Sequence, residues 1–275
     1  MKKIVIYGKG GIGKSTVSTH LSVYYALNGY KVLQVGCDPK HDSTKRLLPK
    51  NTDIKTVIDI TKYYDIDEIS KDMFVYSGKF GIDCVEAGGP IAGIGCAGRG
   101  ISLMFEIFEE VDLLQTSNYD IVIFDVLGDV VCGGFASPLK IGFADSVYLV
   151  TSEEIMSLYA ANNIARAVVN YSRNGIDLGG LILNQRSNDV DIAPVKGFAY
   201  SIGTKIIGTV PRSNELLEME KKGKTVFEDD SLSYSTIVKH FKGIADNIDE
   251  SRGVVPTPFD DKEFDDFVFY NFQKK

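Results

Sequence analysis

The stretch Gly-Lys-Gly-Gly-Ile-Gly-Lys-Ser at residues 8–15 decides the fold of this chain. It follows the apolar run Ile-Val-Ile-Tyr at 4–7 and precedes a segment with helical composition, so the order is strand, glycine loop, helix. The stretch fits the phosphate-loop pattern G-x-x-x-x-G-K-[ST]. Glycines let backbone N–H groups approach a phosphate chain that a Cβ would block, and the helix N-terminus adds its dipole. A plain glycine turn is the alternative, and the spacing and the Lys-Ser pair argue against it.

The residues of this loop have distinct expected roles toward MgATP. Lys14 would neutralise the β- and γ-phosphates, and the Ser15 hydroxyl would hold Mg²⁺. Lys9 is a second loop lysine, which is either a solvated surface lysine or one that reaches across a dimer to the partner's phosphates, as an arginine finger does. The predicted nucleotide-binding residues of the loop are Gly8, Gly10, Gly11, Ile12, Gly13, Lys14, Ser15 and Thr16.

Composition narrows the class of protein. The chain has 275 residues, 44% of them hydrophobic, which favours one large domain over residues 1–275. Its formal net charge of −7 argues against a general nucleic-acid-binding protein. No apolar run reaches membrane-spanning length, and the first strand begins at the N-terminus, so we expect a cytoplasmic protein without a membrane role.

Apolar runs alternate with helical segments along the chain. The runs are continuous, as in a parallel sheet that is buried on both faces, and the alternation indicates βαβ units. We therefore predict an α/β fold with a doubly wound, mostly parallel sheet, that of a single-domain phosphate-loop NTPase. Residues 51–78 are polar and irregular, which suggests a peripheral segment. The acidic, aromatic tail 254–275 is expected to pack on the body or on a second subunit. The predicted strands are 4–7, 32–35, 121–124, 147–150, 181–183 and 206–210; the predicted helices are 14–28, 101–114, 155–171 and 235–248.

Acidic residues follow two of the predicted strands. An aspartate at the end of an apolar strand is where a phosphate-loop NTPase places its Mg²⁺-side carboxylate, and Asp125 fits that role. Asp38 or Asp42 would orient the attacking water and sense the γ-phosphate, and Asp129 follows Asp125 in the same motif. The alternative for each is helix capping or turn formation.

Two of the four cysteines lie in glycine-rich segments. Cys96 is in Gly-Cys-Ala-Gly-Arg-Gly at 95–100, and Cys132 precedes Gly-Gly at 133–134. Such segments let the backbone approach an inorganic cluster, and a 4Fe–4S cluster needs four thiolates. One chain offers two of them and a two-fold dimer offers four. Cys37 and Cys84 adjoin apolar segments, so we expect buried, inert thiols there.

The nucleotide and thiol sites are close in sequence. Asp125 and Cys132 are seven residues apart, a segment that spans at most about 23–25 Å when fully extended. It contains glycines that allow a change of shape. We therefore expect movement at the nucleotide to be felt at Cys132, as in an ATP-gated metal centre.

The chain resembles the nitrogenase iron protein family of ATP-dependent reductases over roughly residues 1–250. The resemblance is carried by Tyr-Gly-Lys-Gly-Gly-Ile-Gly-Lys-Ser (7–15), Gly-Cys-Asp-Pro-Lys (36–40), Gly-Cys-Ala-Gly-Arg-Gly (95–100), Asp-Val-Leu-Gly-Asp-Val-Val-Cys-Gly-Gly-Phe (125–135) and Leu-Tyr-Ala-Ala-Asn-Asn-Ile (158–164). The last three motifs are highly specific.

The resemblance implies a homodimer with one bridging 4Fe–4S cluster that passes single electrons to a larger metalloprotein while MgATP is hydrolysed. Cys96 and Cys132 would be the cluster ligands, Lys9 the cross-subunit lysine, and Arg99 part of the docking face. It also implies a ferredoxin- or flavodoxin-type electron donor. The residues that would bound the adenine pocket are Asn184, Pro211 and Arg212.

The chain departs from that family in two places, which leaves its partner open. Ile91-Ala92 stands where nitrogenase proteins usually carry Glu-Pro, and the segment 227–239 is unlike theirs. Nitrogenase, a nitrogenase-like tetrapyrrole reductase and an unassigned relative all fit. A different class, the partition and cell-division-positioning ATPases, shares the two-lysine loop and the dimer but has no metal and usually a basic DNA- or membrane-binding surface. A cluster-carrier ATPase would need a C-x-x-C pair, which the sequence lacks.

Overall fold

The fold is built on one sheet. The computed structural model describes residues 1–89, 97–128, 133–134, 136–140 and 142–273. The strands in these ranges are β1 (Lys2–Tyr7), β2 (Val32–Cys37), β3 (Tyr76–Ser77), β4 (Asp83–Glu86), β5 (Ile121–Val126), β6 (Ser146–Thr151), β7 (Asp177–Asn184) and β8 (Ile206–Val210). They form one sheet in the order β3-β4-β2-β5-β1-β6-β7-β8, in which every neighbouring pair is parallel except β3 with β4. The predicted single-domain, mostly parallel α/β fold is confirmed.

Helices connect the strands. Those in the described ranges are α1 (Lys14–Leu27), α2 (Val57–Ile60), α3 (Ala97–Glu110), α4 (Leu113–Thr116), α5 (Ile155–Tyr171), α6 (Ala193–Ser201), α7 (Asn214–Lys221), α8 (Thr236–Glu250) and α9 (Asp261–Val268). The predicted helix over 101–114 is wrong at both ends, because α3 begins at Ala97 and the left-handed Asp112, with φ 48°, separates it from α4. None of the helices described is long and apolar enough to span a bilayer.

Two hydrophobic clusters lie on the two faces of the sheet. Alternate residues of β1 show this, because Val5 belongs to the cluster under α3 and α5 whereas Ile4 and Ile6 belong to the cluster under α1 and α8. All residues of β2 and β5 are buried. The continuous apolar runs therefore reflect a sheet that is covered on both faces.

The polar segment 51–78 ends in β3, the edge strand of the sheet, and half of its residues are exposed, but a few of its apolar residues reach the core. Val57, Ile60 and Phe74 are each at most 2% exposed and belong to the cluster under α3. These few apolar residues lie among polar ones without a helical or strand period, which is why the sequence pattern missed them.

The C-terminal tail lies against the body of the same chain. Val254 forms an antiparallel bridge with Leu178, and Phe264 and Phe267 of α9 pack around Phe198 of α6. The side-chain amide of Asn162 also exchanges hydrogen bonds of 2.9 Å with the backbone of the tail. The tail therefore closes one end of the apolar cluster.

His20 joins the helix that follows the phosphate loop to the segment before α8. Its Nδ1 lies 2.7 Å from the carbonyl oxygen of Thr16, and the N–H of Val226 donates to its Nε2 at 3.2 Å. The ring stacks on Phe241 with the centroids 4.2 Å apart. Because burial disfavours the imidazolium, the pKa of His20 is lowered to about 3.

We predict that His20 makes the protein sensitive to acid. The unfolded chain takes up a proton near pH 6.5 and the folded chain does not, so the free energy of unfolding falls as the pH decreases from about 6.5 toward 3, by up to about 1.4 kcal/mol per pH unit. Denaturant unfolding at several pH values should show a shallower pH dependence for His20→Gln than for the wild type. His240→Gln, which changes a partly exposed histidine on α8, is the control and should keep the wild-type slope. Equal slopes for the wild type and His20→Gln would contradict the prediction.

Candidate functional site

The site forms where three neighbouring strands end. Strands β2, β5 and β1 are adjacent and parallel, so the segments that follow them lie side by side at the carboxyl edge of the sheet. These segments are the glycine loop 8–13, the loop 38–44 and the segment from Leu127. Ligands of open α/β sheets bind at this edge.

Backbone geometry at the glycine loop requires glycine. Gly13 precedes α1 in the left-handed region with φ 102°, and a Cβ there would collide with the side-chain amide of Asn184. Gly8, with φ 148°, leaves no room for a Cβ against the carbonyl of Val150. The loop thus runs close to β6 and β7 with its carbonyls turned toward them.

Two side chains at the end of β7 hold those carbonyls. Asn184 Nδ2 donates to the carbonyl oxygen of Ile12 at 2.7 Å, and Arg186 Nη2 donates to that of Gly11 at 2.8 Å. From the sequence, Asn184 is expected at the adenine pocket, and Arg186 has no predicted role. Both side chains fix the peptide groups of the phosphate loop.

The two loop lysines differ in exposure. Lys14 is 9% exposed, and its Nζ donates to the carbonyl oxygen of Lys9 at 3.4 Å across the loop. Lys9 is half-buried. The ammonium group of Lys14 is therefore held over the loop that would enclose a phosphate.

Asp125 is the buried carboxylate of the site. It is 4% exposed, ends the apolar part of β5 and accepts a hydrogen bond of 2.6 Å from Ser43 Oγ. Ser15 also bonds to it. Burial raises the pKa of Asp125, and the bonds from Ser15 and Ser43 and the nearby Lys14 oppose that shift. The predicted Mg²⁺-side pair, Ser15 and Asp125, is therefore in contact.

The loop after β2 lies across the cleft from the glycine loop. Asp38 and Asp42 line a cleft of about 240 Å³ together with Lys14, Ser15 and Asp125. The backbone N–H of Lys40 donates to Asp38 Oδ1 at 2.8 Å, which closes a tight turn. The structure thus brings these five predicted residues to one cleft.

A second buried acid, Glu86, lies behind this loop and was missed by the sequence analysis. It is 1% exposed at the end of β4 and accepts hydrogen bonds from the N–H and the hydroxyl of Thr44 at 2.6 and 2.7 Å. Its pKa is raised to about 7, mainly by burial and also by Asp125 and Asp42, although the hydrogen bonds from Thr44 act in the opposite direction. The available signal was weaker than for Asp125, because only Cys84 and Val85 stand between the acids at the two ends of β4.

The predicted adenine-pocket residues line a neighbouring cleft. Asn184, Pro211 and Arg212 border a volume of about 190 Å³ that shares Gly11, Gly13 and Thr16 with the phosphate loop. The backbone of Arg212 exchanges two hydrogen bonds of 2.9 Å with the side-chain amide of Asn188. The cleft is completed by Leu216, Leu217 and Glu220 of α7.

The segment after Asp125 contacts two different sites. Gly128 lies against the glycine loop, where a Cβ would be 2.5 Å from the amide nitrogen of Gly10. Gly134 lies against the backbone of Gly98 at the beginning of α3, with no room for a Cβ. Three predicted site residues, Asp129, Cys96 and Cys132, lie outside the described residues.

The contact between Gly134 and Gly98 lies close in sequence to the two predicted cluster ligands. Gly98 and Gly134 each follow a predicted ligand, Cys96 or Cys132, by two residues. Gly98 therefore belongs to one cysteine-containing segment and Gly134 to the other, and the two glycines are in contact. Arg99, the predicted docking residue, is exposed beside this contact. In the described part of the chain, no group of three or more His, Cys, Asp and Glu residues is arranged to hold a metal ion.

The other two cysteines are buried free thiols, as predicted. Cys37 and Cys84 are at most 1% exposed. Burial raises the pKa of both thiols, and nearby carboxylates raise it further. Neither is a reactive thiolate.

Comparison with known proteins shows which family the chain belongs to. The profile described as "4Fe-4S iron sulfur cluster binding proteins, NifH/frxC family" matches residues 2–273. The chain belongs to this family. A nitrogenase iron protein of Methanospirillum hungatei is 44% identical over 272 residues, which cover 96% of this chain and 94% of the relative. Nitrogenase iron protein 2 of Methanothermobacter thermautotrophicus is 44% identical over 268 residues, with 97% of each chain covered. The resemblance to the nitrogenase iron protein family, which the sequence motifs indicate, is confirmed.

Solved structures with the same fold include members of other ATPase classes. The septum site-determining protein MinD of Pyrococcus horikoshii, complexed with Mg-ADP, aligns with a TM-score of 0.70 at 21% identity, over 91% of this chain and 97% of that one. The McdA–ATP complex of Cyanothece aligns with a TM-score of 0.67 at 18% identity, over 92% and 98%. At these identities the likeness shows the fold alone.

Proposed function

We propose that this chain is an ATP-dependent electron-transfer protein. In this proposal a homodimer with one bridging 4Fe–4S cluster passes single electrons to a larger metalloprotein and hydrolyses MgATP. The observation that supports it is the placement of the segment after Asp125. One part of that segment, Gly128, lies on the phosphate loop, and another, Gly134, lies beside the residue pair that follows Cys96.

The nucleotide would be held by the glycine loop and its lysines. Backbone N–H groups of residues 10–16 would bind the phosphates, and Lys14 would neutralise them. Ser15 and Asp125 would face Mg²⁺, Asp38 and Asp42 the γ-phosphate and the attacking water, and Lys9 the partner subunit's nucleotide. Asn184, Pro211 and Arg212 would border the adenine.

The cluster would be held by Cys96 and Cys132 of each subunit. When bound, it supplies a one-electron carrier. Gly98 and Gly134 keep the two ligand segments in contact without intervening side chains. The exposed Arg99 would face the docked metalloprotein, and a ferredoxin- or flavodoxin-type protein would return the electron.

A partition- or positioning-type ATPase switch without a cluster is the second candidate. The fold shared with MinD of Pyrococcus horikoshii favours it. The net charge of −7 and the glycine-embedded cysteines favour the electron-transfer protein. Bound iron is the observable that separates the two candidates.

The loop lysines are predicted to separate binding from hydrolysis. Lys14→Ala removes the cation over the phosphates, so MgATP affinity measured by calorimetry should fall at least about tenfold. Lys9→Ala should retain binding but fail to reach the hydrolysis-competent closed dimer. Lys196→Ala, an exposed lysine on α6, is the control and should behave as wild type. ATP hydrolysis by Lys9→Ala at the wild-type rate, with the metalloprotein present, would show that the cross-subunit role is wrong.

The cysteines are predicted to fall into two pairs. Cys96→Ser and Cys132→Ser each remove two of the four thiolates of the dimer, so iron and sulfide should be lost. Cys37→Ala and Cys84→Ala each replace a buried thiol by a side chain of similar size, and these variants should retain both iron and sulfide. The measurement is iron and acid-labile sulfide after anaerobic purification. Full iron content with an intact cluster spectrum in either serine variant would rule out the two-ligand assignment.

The nucleotide is predicted to change the exposure of the cluster through residues 125–134. A ligand shifts a conformational equilibrium only through its differential affinity for the two states, and MgATP and MgADP differ in γ-phosphate contacts. Iron removal by a chelator under argon should therefore differ roughly fivefold or more between saturating MgATP and MgADP.

A lengthened side chain in this segment should weaken that response. Asp129→Glu keeps the charge and should leave nucleotide affinity nearly intact while it reduces the difference in chelation rate. Asp72→Glu, an exposed aspartate before β3, is the control. Identical wild-type rates in MgATP, MgADP and no nucleotide would leave the ATPase and the cluster as separate features of one fold.

A further inference from the structure

Glu86 is a buried acid that has no role in the proposed binding of nucleotide or cluster. It is 1% exposed, and its place at the end of β4 puts it one strand away from β2 and two from Asp125 of β5. The strand register aligns Glu86 and Asp125 with the same residue, Gly36, from opposite sides. A Cβ at Gly36 would overlap the carboxylate of Glu86, so glycine makes the room that this side chain occupies.

Only one oxygen of this carboxylate has a partner among the described residues. Oε1 accepts both hydrogen bonds from Thr44, one from the backbone N–H and one from the hydroxyl. Oε2 is buried and makes no hydrogen bond with any residue that the structure describes. Burying a carboxylate costs free energy unless it accepts hydrogen bonds. Because the hydrogen bonds to Glu86 come from Thr44, the position that Glu86 stabilises is that of Thr44.

Thr44 ends the loop that carries Asp38 and Asp42. The residue before it, Ser43, donates to Asp125 at 2.6 Å, and Gln34 Nε2 donates to Ser43 at 3.0 Å. The end of the loop is therefore held on one side by Asp125 and on the other by Glu86. Thr44 is fully buried, so its N–H has no access to water in place of Glu86.

The segment after Glu86 lies against the same loop. Ala87 donates its N–H to the carbonyl oxygen of Gly36 at 2.8 Å, and Gly89 lies so close to Pro39 that a Cβ would be 2.7 Å from the ring. Residues 86–89 thus accept hydrogen bonds from Thr44 at one end of loop 38–44 and lie against Pro39 near the other end. The aspartates between these ends line the cleft with the phosphate loop.

We propose that Glu86 is a positioning residue that fixes loop 38–44 at the phosphate cleft and thereby sets how the protein distinguishes MgATP from MgADP. It touches no nucleotide and acts through Thr44. This inference rests on the proposed nucleotide site. The phosphate loop itself is anchored elsewhere, by Asn184 and Arg186, so contacts shared by both nucleotides do not depend on Glu86.

The first measurement is hydrogen exchange at the Thr44 amide. Glu86→Leu removes the acceptor at similar volume, so exchange should become at least about tenfold faster, because the N–H loses its charge-assisted bond. Glu86→Gln keeps a carbonyl oxygen that can accept from Thr44, and its exchange should stay close to that of the wild type. Asp83→Asn, at the other end of β4 where it accepts from Tyr119, is the matched control.

The second measurement is affinity for two nucleotides, MgADP and the non-hydrolysable MgAMP-PNP, by calorimetry. Glu86→Leu should change the ratio of the two dissociation constants at least about fivefold while the MgADP constant stays within about twofold. Glu86→Gln should restore the wild-type ratio. Thr44→Val, which removes only the hydroxyl, should change the ratio in the same direction by less, and it tests the inference if Glu86→Leu does not fold.

Two results would overturn the inference. One is an unchanged Thr44 exchange rate in Glu86→Leu. The other is an equal loss of affinity for both nucleotides, which a merely structural role predicts. The iron content of the same preparations tests the electron-transfer proposal separately. A protein without iron that still shows the expected ratios of dissociation constants would refute electron transfer but not the role of Glu86. A wild-type protein that binds neither nucleotide overturns both.

Discussion

The buried carboxylate of Asp125 is the constraint on which the site depends. A carboxylate with 4% exposure must be compensated, and it is bonded by Ser15 at the start of α1 and by Ser43 at the end of the loop after β2. Three segments that are distant in sequence are therefore held together by one charged group. Asp125 also lines the phosphate cleft, so the carboxylate that joins these segments is one that a ligand in the cleft would meet.

The parallel sheet makes that arrangement possible, and it is common to several ATPase classes. Because β2, β5 and β1 are neighbours, their following loops share one edge, as they do in the fold shared with MinD. In this chain Gly134, which follows β5 in sequence, lies in close contact with Gly98. The fold forms the phosphate cleft, and Gly128 and Gly134 place parts of the segment after β5 against the glycine loop and against Gly98.

Much of this could be predicted from local sequence. The six long strands, α1, α5 and the phosphate loop follow from continuous apolar runs and glycine spacing, which are local signals. β4 was missed because it is four residues long and has acids at both ends, Asp83 and Glu86. The roles of Ser43, Glu86 and Arg186 depend on contacts between segments far apart in the chain, which no local period encodes. The roles of Cys96, Cys132 and Asp129 remain predictions from sequence and family.

The iron content of the wild-type protein tests the central claim most directly. The chain should be purified under anaerobic conditions, its dimer isolated by size, and iron, acid-labile sulfide and bound nucleotide measured on the same sample. The account predicts about four iron and four sulfide per dimer, consistent with one 4Fe–4S cluster held by four thiolates. A dimer that binds MgATP but holds neither iron nor sulfide, even after reconstitution with both, would contradict the account and identify an ATPase switch on the same fold.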